Sequence, residues 1–185
     1  VADASGHGVG PALVIAQTRA MLRAIAMQGR DVSATLSTSN NLLCRDLDGR
    51  FVTCFLGMLD PITAGMTYAS AGHGPLLFYD ARQGVIDERP STGLPMGIMD
   101  DADYSEVVAK QFHEGDFAAI TTDGFFEAAN VEGDMFGIER LKELLLANRD
   151  KSAAEMIDVI CEAVAEFSAG TKQGDDLTVI IIKRT

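Results

Sequence analysis

Apolar positions change period twice along this chain, and each change predicts a change of element. After Gly10-Pro11, Val14, Met21 and Ile25 recur at three- or four-residue multiples, with Leu13, Ala20 and Ala24 beside them. A proline in a first helical turn removes no intrahelical hydrogen bond, so the spacing predicts a helix over about 11–27. Asp31 or Ser33 can cap a second helix carrying Leu36, Leu42 and Leu43, which should end near the turn signal Asp48-Gly49. From Phe51 the pattern shortens to runs over 51–59, 66–71 and 76–79, the first two separated by Asp60-Pro61 and Ala64-Gly65, which predicts strands in a meander. Residues 89–103 hold Pro90, Gly93, Pro95 and Gly97 and cannot stay regular for long. Runs over 107–112 and 117–122 predict another strand pair, with its hairpin at Glu114-Gly115 or Gly115-Asp116. The helical period returns over 138–147, and Ser152-Ala153-Ala154-Glu155 forms a capping box ahead of Ile157, Ile160, Val164 and Phe167. The β-branched run over 177–182 reads as a central strand buried on both faces. Helices and strands in blocks around one core predict an α+β fold and a single domain over 1–185.

Composition narrows the function classes. Of 185 residues, 47% are hydrophobic and 23% charged, the balance of a folded domain. The longest apolar runs fall far short of the roughly 20 residues that cross a bilayer, so no membrane segment is expected. A net charge of −12 without any Lys/Arg-rich run repels a phosphate backbone, which disfavours nucleic acid as a partner. The three cysteines, at 44, 54 and 161, have no metal or redox spacing and sit in apolar stretches, which implies reduced thiols and a cytoplasmic location. Met21, Met27 and Met156 read as core fillers. Val1 opens inside what reads as the end of a strand, so the chain reads as cut from something longer.

The acids matter by position. Asp3 in Ala2-Asp3-Ala4-Ser5-Gly6-His7-Gly8, Asp123 in Thr121-Thr122-Asp123-Gly124 and Asp175 in Gly174-Asp175-Asp176-Leu177 each stand where a strand meets a turn, the last two beside a glycine and Asp3 three residues before one. An acid there projects from a sheet rim, and the glycine admits a close approach. Carboxylates converging at one rim repel each other unless a cation neutralises them, and oxygen-only ligands favour Mg²⁺ or Mn²⁺ over zinc. Singly, each also has a structural reading: Asp-Gly is a common hairpin turn, and Asp-Asp before a strand is commonly a solvated turn.

Five motifs occur in order: Asp3-Ala4-Ser5-Gly6-His7-Gly8 before a small-residue helix, Ser70-Ala71-Gly72-His73, Gly93-Leu94-Pro95-Met96-Gly97, Thr122-Asp123-Gly124-Phe125-Phe126-Glu127-Ala128, and Gly174-Asp175-Asp176-Leu177-Thr178-Val179. Together they resemble the PPM (type 2C) metal-dependent protein serine/threonine phosphatases, in the bacterial SpoIIE/RsbU-like branch typified by sporulation and stress-response regulators. The resemblance implies an antiparallel β-sandwich flanked by helices, in α-β-β-α layers, with a two-metal site at one end. It implies that Asp3 bridges two Mn²⁺ or Mg²⁺ ions, that Ala4 offers its carbonyl, that Asp123 and Asp175 complete a shell with Asp176 beside them, and that His7 protonates the leaving group. The substrate class it implies is phosphoserine or phosphothreonine on a protein, an anti-sigma-factor antagonist in particular, with a sensor or receiver domain upstream.

Two features depart from that pattern. The family supplies a further acid from strands before the first motif, strands this chain lacks, and Gly72-His73-Gly74-Pro75 carries glycine where relatives commonly have asparagine. The missing acid keeps a rival open, a catalytically silent phosphatase-like module that binds a partner. Cys44 and Arg50 match the Cys-x5-Arg pattern of thiolate phosphatases, but Asp46 and Asp48 between them would repel both thiolate and substrate.

Overall fold

In a computed structural model of the chain, which describes residues 1–47 and 49–185, the chain order is β1 (Ala2–Ala4), α1 (Val9–Ala26), α2 (Val32–Leu43), β2 (Val52–Asp60), β3 (Gly65–Ala71), β4 (Leu76–Asp80), β5 (Val85–Arg89), β6 (Val108–Gln111), β7 (Phe117–Thr121), α3 (Ile138–Ala147), α4 (Ala153–Phe167) and β8 (Val179–Lys183). The fold is α+β, with two antiparallel sheets and four helices among the described residues. The chain divides into two compact units, Val1–Gly74 with Pro90–Gln111, and Pro75–Arg89 with Phe112–Thr185. None of the described helices is long and apolar enough to cross a membrane.

The first unit holds the sheet β1-β2-β3-β6 together with α1 and α2. Asp31 starts α2 as its sequence suggested, its carboxylate accepting from the Ala34 N–H at 2.7 Å. That side-chain acceptor satisfies a backbone donor that the helix cannot. The helix ends at Leu43, short of the expected stop, because the Arg45 and Asp46 N–H groups turn back to Leu42 and Leu43 and so bury Leu47. Asp48, half of that expected turn, lies outside the described residues. Val14 and Ile25 of α1 are buried, but Leu13 is 65% exposed and Met27 86% exposed, so neither is a core residue.

The second unit holds the sheet β5-β4-β7-β8 together with α3 and α4. The capping box on α4 is present: Ser152 Oγ accepts from the Glu155 N–H, and the Glu155 carboxylate accepts from the Ser152 N–H. Met156, Ile160 and Val164 of this helix pack with Leu141 and Leu145 of α3 in one buried cluster. Each such side chain contributes about 1.5–3 kcal/mol by leaving water.

Three strand expectations are corrected. The meander holds only for β2 and β3, since β4 pairs with β5 and β7 in the other sheet. β6 and β7 are not a pair: β6 joins β3, and β7 joins β4 and β8. The expected turn does exist, and it carries the chain from one sheet to the other. Buried Asp116 fixes it by accepting from the Ala81 and His113 N–H groups, each at 2.8 Å. Finally, β8 is an edge strand, with Ile180 43% exposed. Its β-branched run reflects one face packed on α4 rather than two buried faces.

Candidate metal-binding rims

Asp3 sits in β1, opposite Thr53 of β2. The strand end is closed by two bonds between the same residues: the Ser5 N–H donates to the Phe51 carbonyl at 2.9 Å, and the Phe51 N–H donates to Ser5 Oγ at 3.1 Å. Between this closure and α1 the backbone takes positive φ at Gly6 (89°) and Gly8 (94°), a region that costs glycine little and other residues more. Ala4 is buried, while His7 is exposed at the tip of the turn. Asp3 thus stands half-buried at the rim of the first sheet, and α1 begins immediately behind it.

The histidine and proline motifs support that strand end. His73 is buried, and its Nδ1 shares a hydrogen bond with Thr53 Oγ1 at 3.2 Å, on the residue that faces Asp3. Gly72 (φ 68°) lies so close to Pro95 that an added Cβ would stand 2.3 Å from the proline ring. The Val52 and Met96 backbones exchange two hydrogen bonds of 2.8 Å, and the Gly72 N–H donates to Gly93 at 2.8 Å. Both motifs therefore lace the 90–104 segment onto the ends of β2 and β3, which is how they hold Asp3 in place.

Asn40 anchors the same segment and escaped the sequence reading. Fully buried on α2, it accepts from the Gly97 N–H at 2.9 Å and donates to the Met99 carbonyl at 2.9 Å. The buried face of α2 also carries Thr35 and Ser39, so nothing in the helical period singles the amide out. Asn40→Ala would leave those two backbone groups without their partner, and it should lower stability by about 1–3 kcal/mol in urea denaturation.

In the second unit, Asp123 follows β7 and opens a single 3-10 turn over Asp123–Phe125. Thr122 ties it to the loop before β8. The Thr122 N–H donates to the Thr178 carbonyl, Thr122 Oγ1 donates to the Asp176 carbonyl, and Oγ1 accepts from the Thr178 N–H, all at 3.0 Å. Gly124 completes the contact, because a Cβ there would stand 2.5 Å from the Asp176 carbonyl oxygen. Asp175 is turned by its own carboxylate, which accepts from the Asp176 N–H at 2.7 Å, and by Gln173, which donates to its carbonyl at 2.8 Å. The structure thus brings Asp123 and the Asp175-Asp176 pair to neighbouring strand ends of one sheet. Thr122 does this work, and its sequence signal is only a hydroxyl before an Asp-Gly pair.

These donors suit a hard divalent ion in kind, being carboxylate and carbonyl oxygens without thiol or imidazole among the acids singled out. Among the described residues no three His, Cys, Asp or Glu side chains gather as a ready-made metal shell. Magnesium-like ions bind through one or two carboxylates and keep several waters, which is the kind of site that the Asp123 and Asp175 rim can offer.

The thiolate-phosphatase pattern is not realised. Burial, reinforced by Asp100, raises the Cys44 thiol above its ordinary range, which disfavours the thiolate such chemistry needs. Burial likewise pushes Cys54 up to about 11, and all three cysteines are free.

A family model described as Stage II sporulation protein E (SpoIIE) matches residues 1–185. The phosphoserine phosphatase RsbU of Bacillus subtilis (strain 168) is 27% identical over 187 residues, which is 100% of this chain and 54% of that protein. The chain therefore spans about half the length of that curated relative, and 21% of a second, Protein IcfG of Synechocystis, at 29% identity over 72% of the chain. Among solved structures, the SiaA-PP2C domain of Pseudomonas aeruginosa is similar with a TM-score of 0.85 at 23% identity, over 100% of this chain and 74% of that one. The RsbU and RsbW domains of Rv1364c from Mycobacterium tuberculosis are similar with a TM-score of 0.77 at 25% identity, over 99% and 50%. The same fold occurs in RsbX in complex with magnesium, with a TM-score of 0.67 at 19% identity over 97% and 77%.

Proposed function

The chain belongs to the SpoIIE family, and from that membership we propose that it hydrolyses phosphoserine and phosphothreonine monoesters on a protein. The observation that carries the reading is the Thr122 clamp, which holds Asp123 beside the Asp175-Asp176 loop with Gly124 leaving no room for a side chain between them.

Asp123 and Asp175 would hold one ion, with Asp176 beside them. Asp3 and the Ala4 carbonyl would be the oxygen donors that the first unit offers to an ion. Two Mn²⁺ or Mg²⁺ ions, when bound, supply the positive charge that offsets the phosphoryl oxygens and the Lewis acidity that lowers the pKa of a water. The protein's own contribution is positional: β1 fixed against β2, and the Asp123 turn fixed against β8, keep the carboxylates in place so that little reorganisation accompanies the reaction. His7, exposed in the turn after Asp3, is the residue that this reading assigns to the departing seryl oxygen. The natural substrate in this reading is a phosphorylated anti-sigma-factor antagonist, with a sensor or receiver domain controlling the reaction from elsewhere in the polypeptide and all of it in the cytoplasm.

The test is hydrolysis of p-nitrophenyl phosphate and of a phosphoserine protein with manganese, with magnesium, and after chelation by EDTA. Turnover that requires the metal is the expected result. No turnover with either metal in excess would instead favour a partner-binding module that has lost catalysis.

A further inference from the structure

The second unit has a cleft of about 560 Å³ that begins at the candidate metal rim. Gly124 and Asp175 form its near end, and the C-terminal part of α4 and the loop that follows it form its walls. Resting on the phosphatase reading above, we propose that this cleft holds the polypeptide flanking the phosphorylated residue, in an extended conformation, with an acidic substrate side chain directed to Lys172.

Three observations lead there. The cleft is continuous with the rim, so a substrate chain leaving a phosphoseryl group at Asp123 and Asp175 meets it at once. Small residues line it: Ala165 and Ala169 are exposed on one wall, and a Cβ at Gly174 would stand in open space. The small residues on that wall admit a main chain at close range, while Val164 and Leu177 together with Glu127, Gln173 and Lys172 give the rest of the lining both apolar and polar contacts for side chains. Among the described residues that line the cleft, Lys172 is the one cation, standing in a protein of net charge −12. Glu127 and Asp175 line the same cleft, so a substrate acid is repelled at those two positions and attracted at Lys172, which orients the bound chain.

Remote binding energy of this kind raises turnover of a long substrate over a short one. The experiment compares kcat/KM for N-acetyl-phosphoserine methylamide and for a phosphoserine nonapeptide with alternating alanine and glutamate flanks, both with manganese. The unmodified protein should favour the nonapeptide by about tenfold or more, and Ala165→Trp, which fills the cleft from an exposed position, should bring that ratio down to about one. Lys172→Glu should raise KM for the nonapeptide more than for the methylamide. Circular dichroism checks folding, and Ala169→Trp replaces Ala165→Trp if the latter fails to fold. A length preference that survives both tryptophans, or no preference in the unmodified protein, overturns the proposal. If the unmodified protein turns over neither ester, the phosphatase reading fails and the cleft is judged by binding alone. In that case the anisotropy of a fluorescein-labelled nonapeptide should report a Kd that Ala165→Trp weakens about tenfold, and an unchanged Kd overturns the proposal.

Discussion

Asp123→Asn should abolish metal-dependent turnover, with kcat falling by about a thousandfold or more, while the melting temperature stays within a few degrees of the parent. The first part follows from charge. In the proposed role, asparagine would keep one oxygen but lose the negative charge that would hold a divalent ion against phosphate oxygens, and losing a single preorganised electrostatic contact already costs about 10²–10³-fold in kcat. The second part follows from what Asp123 does for the fold, which is done by its backbone: its carbonyl accepts from the Phe126 and Glu127 N–H groups at 3.0 and 2.8 Å, and the substitution leaves both bonds in place. Asparagine is nearly the same size, so Gly124 and Phe125 keep their packing. Asp150→Asn, at an exposed turn after α3, serves as the charge-matched control and should retain full activity. Full activity in Asp123→Asn would remove Asp123 from the site altogether.

Gly124→Ala should damage both fold and activity. The new methyl would stand 2.5 Å from a backbone carbonyl, that of Asp176, and 3.2 Å from Leu177 Cδ2, so the backbone itself has to move. Overpacking of this kind costs about 1–3 kcal/mol. The movement also opens the Thr122 hydrogen bonds to Asp176 and Thr178 and displaces Asp175 relative to Asp123. A misplacement of about 1 Å can cost about 10²-fold in rate, so kcat should fall further than the loss of stability alone explains. Thermal denaturation and steady-state kinetics at a temperature well below the transition separate the two effects. Gly174→Ala, in the same loop but in open space, should keep the parent melting temperature.

Local chemistry was the legible part of this fold. The Ser152 and Glu155 capping box and the Asp31 cap each need only residues three apart; the first formed where the sequence placed it, and the second took Asp31 of the two candidates, Asp31 and Ser33. Pairing was less legible, because a strand's period states which face is buried and not which neighbour it finds. β6 and β7 are adjacent in sequence, and the turn between them has ordinary turn residues, yet Asp116 uses both carboxylate oxygens to send the chain into another sheet. β5 went unseen because Val85–Arg89 alternates little and is mostly exposed. In the candidate site, the acids near glycine could be found from their positions and from the order of the motifs. The residues that hold them could not: Thr122, Thr53 and Asn40 act through single hydroxyl or amide groups that carry no period and no spacing.

The first unit is drawn from two stretches of chain, with the β4–β5 hairpin of the second unit lying between them. Gly93, Met96 and Gly97, which brace β2, β3 and α2, and β6, which completes the first sheet, are all made after that hairpin. On the ribosome the first sheet must therefore wait, its last edge unpaired, until synthesis has passed residue 111. Such long sequence separations slow folding and leave strand edges open to other chains in the interval. Splitting the polypeptide at any single point would not yield the first unit intact and alone.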